Sequence, residues 1–193
     1  MEVCMTVGYE WAWTVVGCLL DGFDIDPVAA VVGLLALGYG QPVSVLLQAQ
    51  WSDFDLQAGV WWVGGEALPL TAPFMVLLKR YRLCCAGRGD HLFAGRRDGS
   101  LGKAEANARV RELLREFFNL GDLCAMAIRV CPDLGAAEWR AQRLREYADL
   151  GATAEQVEAL ERELNRRRCS LLEAWHGDVL CVAAAMSARI FKR

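Results

Sequence analysis

From Pro27 to Ser52 the chain runs for twenty-six residues without a charged side chain. A stretch like that has to be covered, either by a bilayer or by the rest of the protein. Its central part, PVAAVVGLLALGYGQPVSVLLQ, is long enough as a helix, at about 1.5 Å per residue, to cross a hydrocarbon layer of roughly 30 Å. A second apolar run, Leu56 to Leu78, follows the link WSDFD and carries a single charge, Glu66. Together the two runs read as an N-terminal apolar helical hairpin to which everything else is a flank.

Two covers compete for this hairpin. In a membrane, both runs are transmembrane segments. A carboxylate near the bilayer centre costs about 2.5 kcal/mol or more and faces a protein interior, so Glu66 would then be an intramembrane polar site. Against a span, Pro42 removes a backbone donor, and Gly38 and Gly40 weaken the helix before it. The longest uninterrupted apolar stretch is then Val28 to Leu37, which is short for a crossing. That favours two buried helices flanking a turn at Gly38 to Pro42, with Asp26 capping a helix that begins at Pro27. In the second run Gly64, Gly65, Pro69 and Pro73 raise the same objection, and Glu66 faces solvent.

Charge is partitioned more sharply than the net value of -3 suggests. Residues 1–78 hold eight acidic residues and no Lys or Arg, so all 21 basic residues lie from Lys79 onward. Read as a membrane protein, Lys79, Arg80, Arg82 and Arg88 put the C-terminal half in the cytoplasm. Without a membrane, the same residues are solvated basic faces of helices. The eight cysteines form no dense framework, no secretory signal is evident, and the expectation is mostly buried free thiols in an intracellular, reducing setting. Residues 3–20 are apolar around Glu10, Trp11 and Trp13, and suit a third span, an interfacial helix or a core helix.

The chain therefore divides into residues 1–78, apolar and acidic; 79–102, a basic Gly/Arg-rich linker; and 103–193, an α-helical module. Within the module Val110, Leu113, Leu114, Phe117, Leu120, Cys124 and Ala127 recur at helical spacing, which predicts one helix over Lys103 to Val130 ended by Pro132. A second helix fits Ala136 to Leu150, with Asp133 before it and Gly151 after. The third opens on the capping box Thr153-Ala-Glu-Gln156 and continues through Val157, Leu160, Leu164, Leu171 and Trp175. Glu158 with Arg162 and Glu163 with Arg167 support its outer face at i, i+4. After His176, VLCVAAAMSARIF reads as a short apolar tail helix.

Leu113, Phe117, Leu120, Gly121, Asp122 and Cys124 resemble the helix motif that apoptosis regulators insert into a partner's groove. The resemblance covers twelve residues and implies a helix whose apolar face is read by another protein. The same residues also form an ordinary core face, and that reading is the preferred one.

Little points to catalysis. Neither His91 nor His176 has a local partner that makes a triad or metal motif, and CC-x5-H at Cys84, Cys85 and His91 is no standard zinc pattern. No phosphate-binding glycine loop is present, and no cofactor is expected. The arginines are interleaved with acids, so no nucleic-acid partner is expected either. Cys84 and Cys85, beside KRYR, suit reversible acylation. The first reading is a mainly α, non-enzymatic, membrane-associated anchor or scaffold for a protein complex, with Val157, Leu160, Leu164 and Leu171 as protein-contact residues. The alternative is a cytoplasmic, all-α adaptor or regulator binding other proteins through an amphipathic helix. A third is a transporter-like or enzymatic membrane protein using Glu66. The partner is an unknown protein, and homo-oligomer formation stays open.

Overall fold

The computed structural model describes residues 10–85, 89–95, 99–130 and 137–177. These form eight α-helices and one three-stranded antiparallel sheet. The fold is mainly helical, and no described helix is long and apolar enough to cross a membrane. This corrects the expectation of transmembrane segments. The uncharged stretch is divided into helix α2, Pro27–Tyr39, and the short α3, Val43–Gln48, separated by a turn at Gly40, whose φ is 60°.

Helix α2 is the centre of the molecule. It is apolar on every face, and a helix of that kind has to be enclosed. Every residue from Val28 to Tyr39 is buried. Around it pack α1 (Glu10–Asp21), α3, α4 (Ala72–Cys84), α5 (Lys103–Leu113), α6 (Leu120–Val130) and α8 (Ala154–His176). Helix α1 faces it with Ala12, Val15, Val16, Leu19 and Leu20, a helical stripe, so this segment is a core helix where it is described. The side chains of Glu10, Trp11 and Trp13 and all of residues 1–9 lie outside the described set.

At its start α2 is held by Asp26. The carboxylate accepts from the amide of Ala29 at 3.0 Å and takes a two-pronged pair from Arg109 of α5, both bonds 2.7 Å. Burial by itself raises the Asp26 pKa, but the bonds from Arg109 and from the Ala29 amide outweigh it, and the group sits below its ordinary value of 3.8.

The second apolar run differs from the expected helix. It forms β2 (Val60–Val63) and β3 (Glu66–Pro69), with β1 (Phe54–Asp55) of the preceding link paired to β2, and only from Ala72 is it helical. The local chemistry explains this. Val-Trp-Trp-Val favours a pleated strand, and Gly64 and Gly65, at φ 57° and 86°, make the two-residue turn that pairs Val63 with Glu66. Trp61 points into the core, stacked on Phe54 at 5.1 Å and edge-on to Tyr39 at 5.3 Å, while Trp62 is exposed.

Helix α4 carries Lys79, Arg80 and Arg82 on a packed element rather than a loop. Arg80 pairs with Asp24 at 2.7 Å and lies over the Phe23 ring, and the buried Tyr81 hydroxyl donates to Leu92 O at 3.1 Å. Beyond it, Leu92, Phe93 and Leu101 are buried against the body.

The expected single helix over Lys103 to Val130 is broken. Arg115 and Glu116 adopt positive φ of 52° and 66°, and α6 begins anew at Leu120. Asn119 is the cause: its side chain accepts from the amides of Gly121 (2.8 Å) and Asp122 (3.2 Å), while Asp122 accepts from the Asn119 amide at 2.9 Å. This reciprocal cap starts a helix where the apolar periodicity suggested continuity. As a result Phe117 is 76% exposed, and the residues that resembled a groove-binding motif straddle a break instead of sharing one helix face.

Helices α7 (Ala137–Asp149) and α8 pack against each other as a hairpin in which Gly151, at φ 88°, makes the turn. Thr153 and Gln156 form the expected capping box, with bonds of 3.3 and 2.8 Å. Glu163 pairs with Arg167, as the i, i+4 spacing suggested, and with Arg166 as well. Arg162, by contrast, donates to the Glu158 carbonyl rather than its carboxylate. Asp133, Pro132 and the tail helix lie outside the described residues.

Candidate functional site

The most closely built polar site is where the end of α8 meets the end of α2. An α-helix leaves its last four carbonyls without partners inside the helix. In α2 these belong to Ala36, Leu37, Gly38 and Tyr39, and each is met differently. Ala36 O accepts from the Gly40 amide at 3.0 Å and Tyr39 O from the side chain of Gln41 at 3.3 Å. The middle two are served by α8: the Trp175 indole N–H donates to Leu37 O at 3.2 Å, and His176 Nε2 lies 2.9 Å from Gly38 O.

A carbonyl only accepts, so Nε2 of His176 carries a proton, and in the neutral ring Nδ1 carries none. Nδ1 therefore accepts from the Thr71 hydroxyl, 2.9 Å away. Thr71 occupies the N-cap position of α4 yet makes no capping bond with its side chain, because that hydroxyl is turned to the imidazole. The ring is 1% exposed and boxed by Tyr39 and Phe74, with centroids at 4.9 and 4.6 Å. Burial holds its pKa down to about 4, against a smaller opposing effect of the Gly38 carbonyl. Gly38 has to lack a side chain, since a Cβ there would meet the Phe74 ring and stand 3.2 Å from His176 Nε2.

Glu66 and Arg168 add a second tether two turns back. The Arg168 side chain is 6% exposed and donates to Glu66 of β3 at 3.3 Å, while Glu66 keeps 40% of its surface in solvent. The structure thus places Glu66 at a sheet-to-helix contact. Arg168, Leu172, Trp175 and His176 form one face of α8, the helical spacing of a docking stripe.

The residues expected to contact a partner lie mostly above that stripe. Val157, Leu160 and Leu164 are half-buried, and Leu171 is 37% exposed. From Ala154 to Arg167 no residue of α8 is buried. Cys84 and Cys85 separate: Cys84 is exposed at the end of α4 next to the exposed Leu83, and Cys85 is buried. The five described cysteines are free, and two of them, Cys85 and Cys124, are buried.

Two open grooves lie on the body. One, of about 460 Å³, runs between Trp51, Arg82, Cys85 and Asp90; the other, of about 560 Å³, lies between Ile25, Asp26, Arg109 and Leu113. Among the described residues no three His, Cys, Asp or Glu side chains are grouped to hold a metal ion.

Sequence reasoning passes over His176 as a residue beyond a helix end without a partner. A signal that could have found it is present, since Arg168, Leu172, Trp175 and His176 share a face of α8. Its partners, Thr71 and Gly38, are 105 and 138 residues away, and no local pattern joins them. No family model, curated protein or solved structure matches the chain.

Proposed function

We propose that this chain is a helical adaptor or regulator domain that binds another protein through the α7–α8 hairpin, and that it is not an enzyme. The observation that carries the reading is the asymmetry of α8. Over its 23 residues, about 34 Å at the helical rise, only the segment from Arg168 onward is buried on the body. The outer part offers a stripe of half-buried Val157, Leu160 and Leu164, continued by the exposed Leu171. Docking a partner there would bury large apolar side chains worth about 1.5 to 3 kcal/mol each before ordering costs. The enclosure of α2 by protein supports this reading over a membrane anchor, because the residues a bilayer would have covered already have a cover.

Two measurements test it. Alkaline carbonate extraction of membranes from cells expressing the full chain should leave the protein in the supernatant; retention in the pellet until detergent is added would return the anchor to first place. Proximity labelling should then identify neighbours whose yield drops at least tenfold in a Leu160→Asp, Leu171→Asp variant with unchanged circular dichroism. Equal labelling by both proteins would remove the hairpin as the contact surface.

A further inference from the structure

We propose that His176 is a proton-sensitive latch: the neutral imidazole holds the end of α8 on the carboxyl end of α2, and acid frees that end by charging a ring its seat cannot solvate. The latch concerns the fold itself and stands whatever binds the hairpin.

The geometry makes one protonation state the fitting one. Nε2–H is committed to Gly38 O at 2.9 Å and Nδ1 receives the Thr71 hydroxyl at 2.9 Å, so the neutral ring has both nitrogens satisfied. A second proton would have to go on Nδ1, turning an acceptor into a donor and requiring the Thr71 hydroxyl to reverse. It would also place a full charge in a seat built from Val16 of α1, Gly38 and Tyr39 of α2, Phe74 of α4 and Trp175 of α8.

Among the described residues no carboxylate lines that seat to offset the charge. Of the described groups facing the ring from α1, α2 and α4, the titratable one is the Tyr39 phenol, which burial pushes further up and which donates to Pro69 O at 3.1 Å. The nearest described ion pair on α8, Arg168 with Glu66, starts eight residues back, about 12 Å along the axis. The partial negative charge at the end of α2 favours a cation, and the Gly38 carbonyl contributes in that direction, but desolvation is the larger effect.

The sign follows from linkage. With the end of α8 released, His176 titrates near 6.5; seated, it titrates near 4. The released form therefore binds more protons between those values, and seating weakens as pH falls through that window. From pH 7 to pH 5 the opening equilibrium should rise about twentyfold. Opening frees Leu37 O and Gly38 O together and uncovers Leu172 and Trp175.

Hydrogen exchange of the Trp175 indole N–H, followed by NMR on the full chain and corrected for intrinsic pH dependence, reads the latch directly. A rise in opening of fivefold or more from pH 7 to pH 5, with the amides of the α2 interior lagging behind, supports it. A smaller rise, or an equal rise in α2, overturns it. In His176→Gln, which keeps a donor for Gly38 O and an acceptor for Thr71 but takes up no proton, the rise should fall below twofold; a rise matching the wild type overturns the proposal. If that variant does not fold, the wild-type ring resonance decides: titration below pH 5 supports the latch, and titration near 6.5 overturns it.

Discussion

Helix α2 buries every residue from Val28 to Tyr39, whereas α8, nearly twice as long, buries four of its 23. The two helices are stabilised by different means. Helix α2 has almost no side-chain chemistry of its own beyond the Asp26 cap, and it exists because six other helices enclose it. Helix α8 carries a capping box, good helix formers through its first turns and the Glu163 pairs, so much of its outer length is locally supported. One is therefore a global element, whose damage should be felt by the whole body, and the other an arm, whose damage should stay in the arm.

The largest effect is expected in the enclosed helix. Leu35→Ala removes a side chain with no exposed surface and should lower the unfolding free energy by about 2 to 5 kcal/mol, read as a shift of the denaturant midpoint for the entire body. Should the body lose less than about 1 kcal/mol, α2 is not its keystone. Gly38→Ala comes next, at about 1 to 3 kcal/mol, because the added Cβ meets the Phe74 ring and forces the seat of His176 to shift. It should also raise exchange at the Trp175 indole, coupling body to arm.

Asp26→Ala should cost about 1 to 2 kcal/mol, since it removes the cap of α2 and leaves the Arg109 guanidinium without its carboxylate. Its pH signature has a defined sign. The folded pKa is depressed, so this stabilisation is complete above the ordinary value of 3.8 and disappears as pH falls through the folded value; the wild-type advantage over Asp26→Ala should vanish in strong acid. Glu66→Gln is expected to cost about 1 kcal/mol, since Glu66 is partly solvated, and to loosen α8 without moving the transition of the body. The same variant tests the transporter-like reading, which requires the carboxylate. The smallest effect belongs to Thr153→Ala, about 0.5 to 1 kcal/mol of local helix stability. It should appear as faster amide exchange in the first turn of α8 and nowhere in α2.

The contrast between the two helices also explains what could be read in advance. The start of α2 at Asp26-Pro27, its end near Gly40 and the Thr153–Gln156 box were legible, because each depends on residues within four positions of one another. The strands at Val60 to Pro69 carried a local signal too, a β-branched and aromatic run closed by Gly-Gly. It was outweighed by the apolar length of the segment, which is a poor guide between a strand and a buried helix. The Asn119–Asp122 cap likewise broke a periodicity that apolar spacing alone extended. Between α5 and α6, polar hydrogen bonding decided the boundary and hydrophobic pattern did not.

By itself the sequence determined that residues 27–52 had to be covered, that the chain is mainly helical and where several helices begin, because composition and caps act over a few residues. Only the tertiary structure decided what the cover is. Six helices drawn from the rest of the chain enclose α2, and the carbonyls at its end are completed by Trp175 and His176 from 138 residues away. Hydrogen bonds of that span follow from how the chain closes on itself, and the packing that closes it is non-directional, so no spacing in the sequence records it.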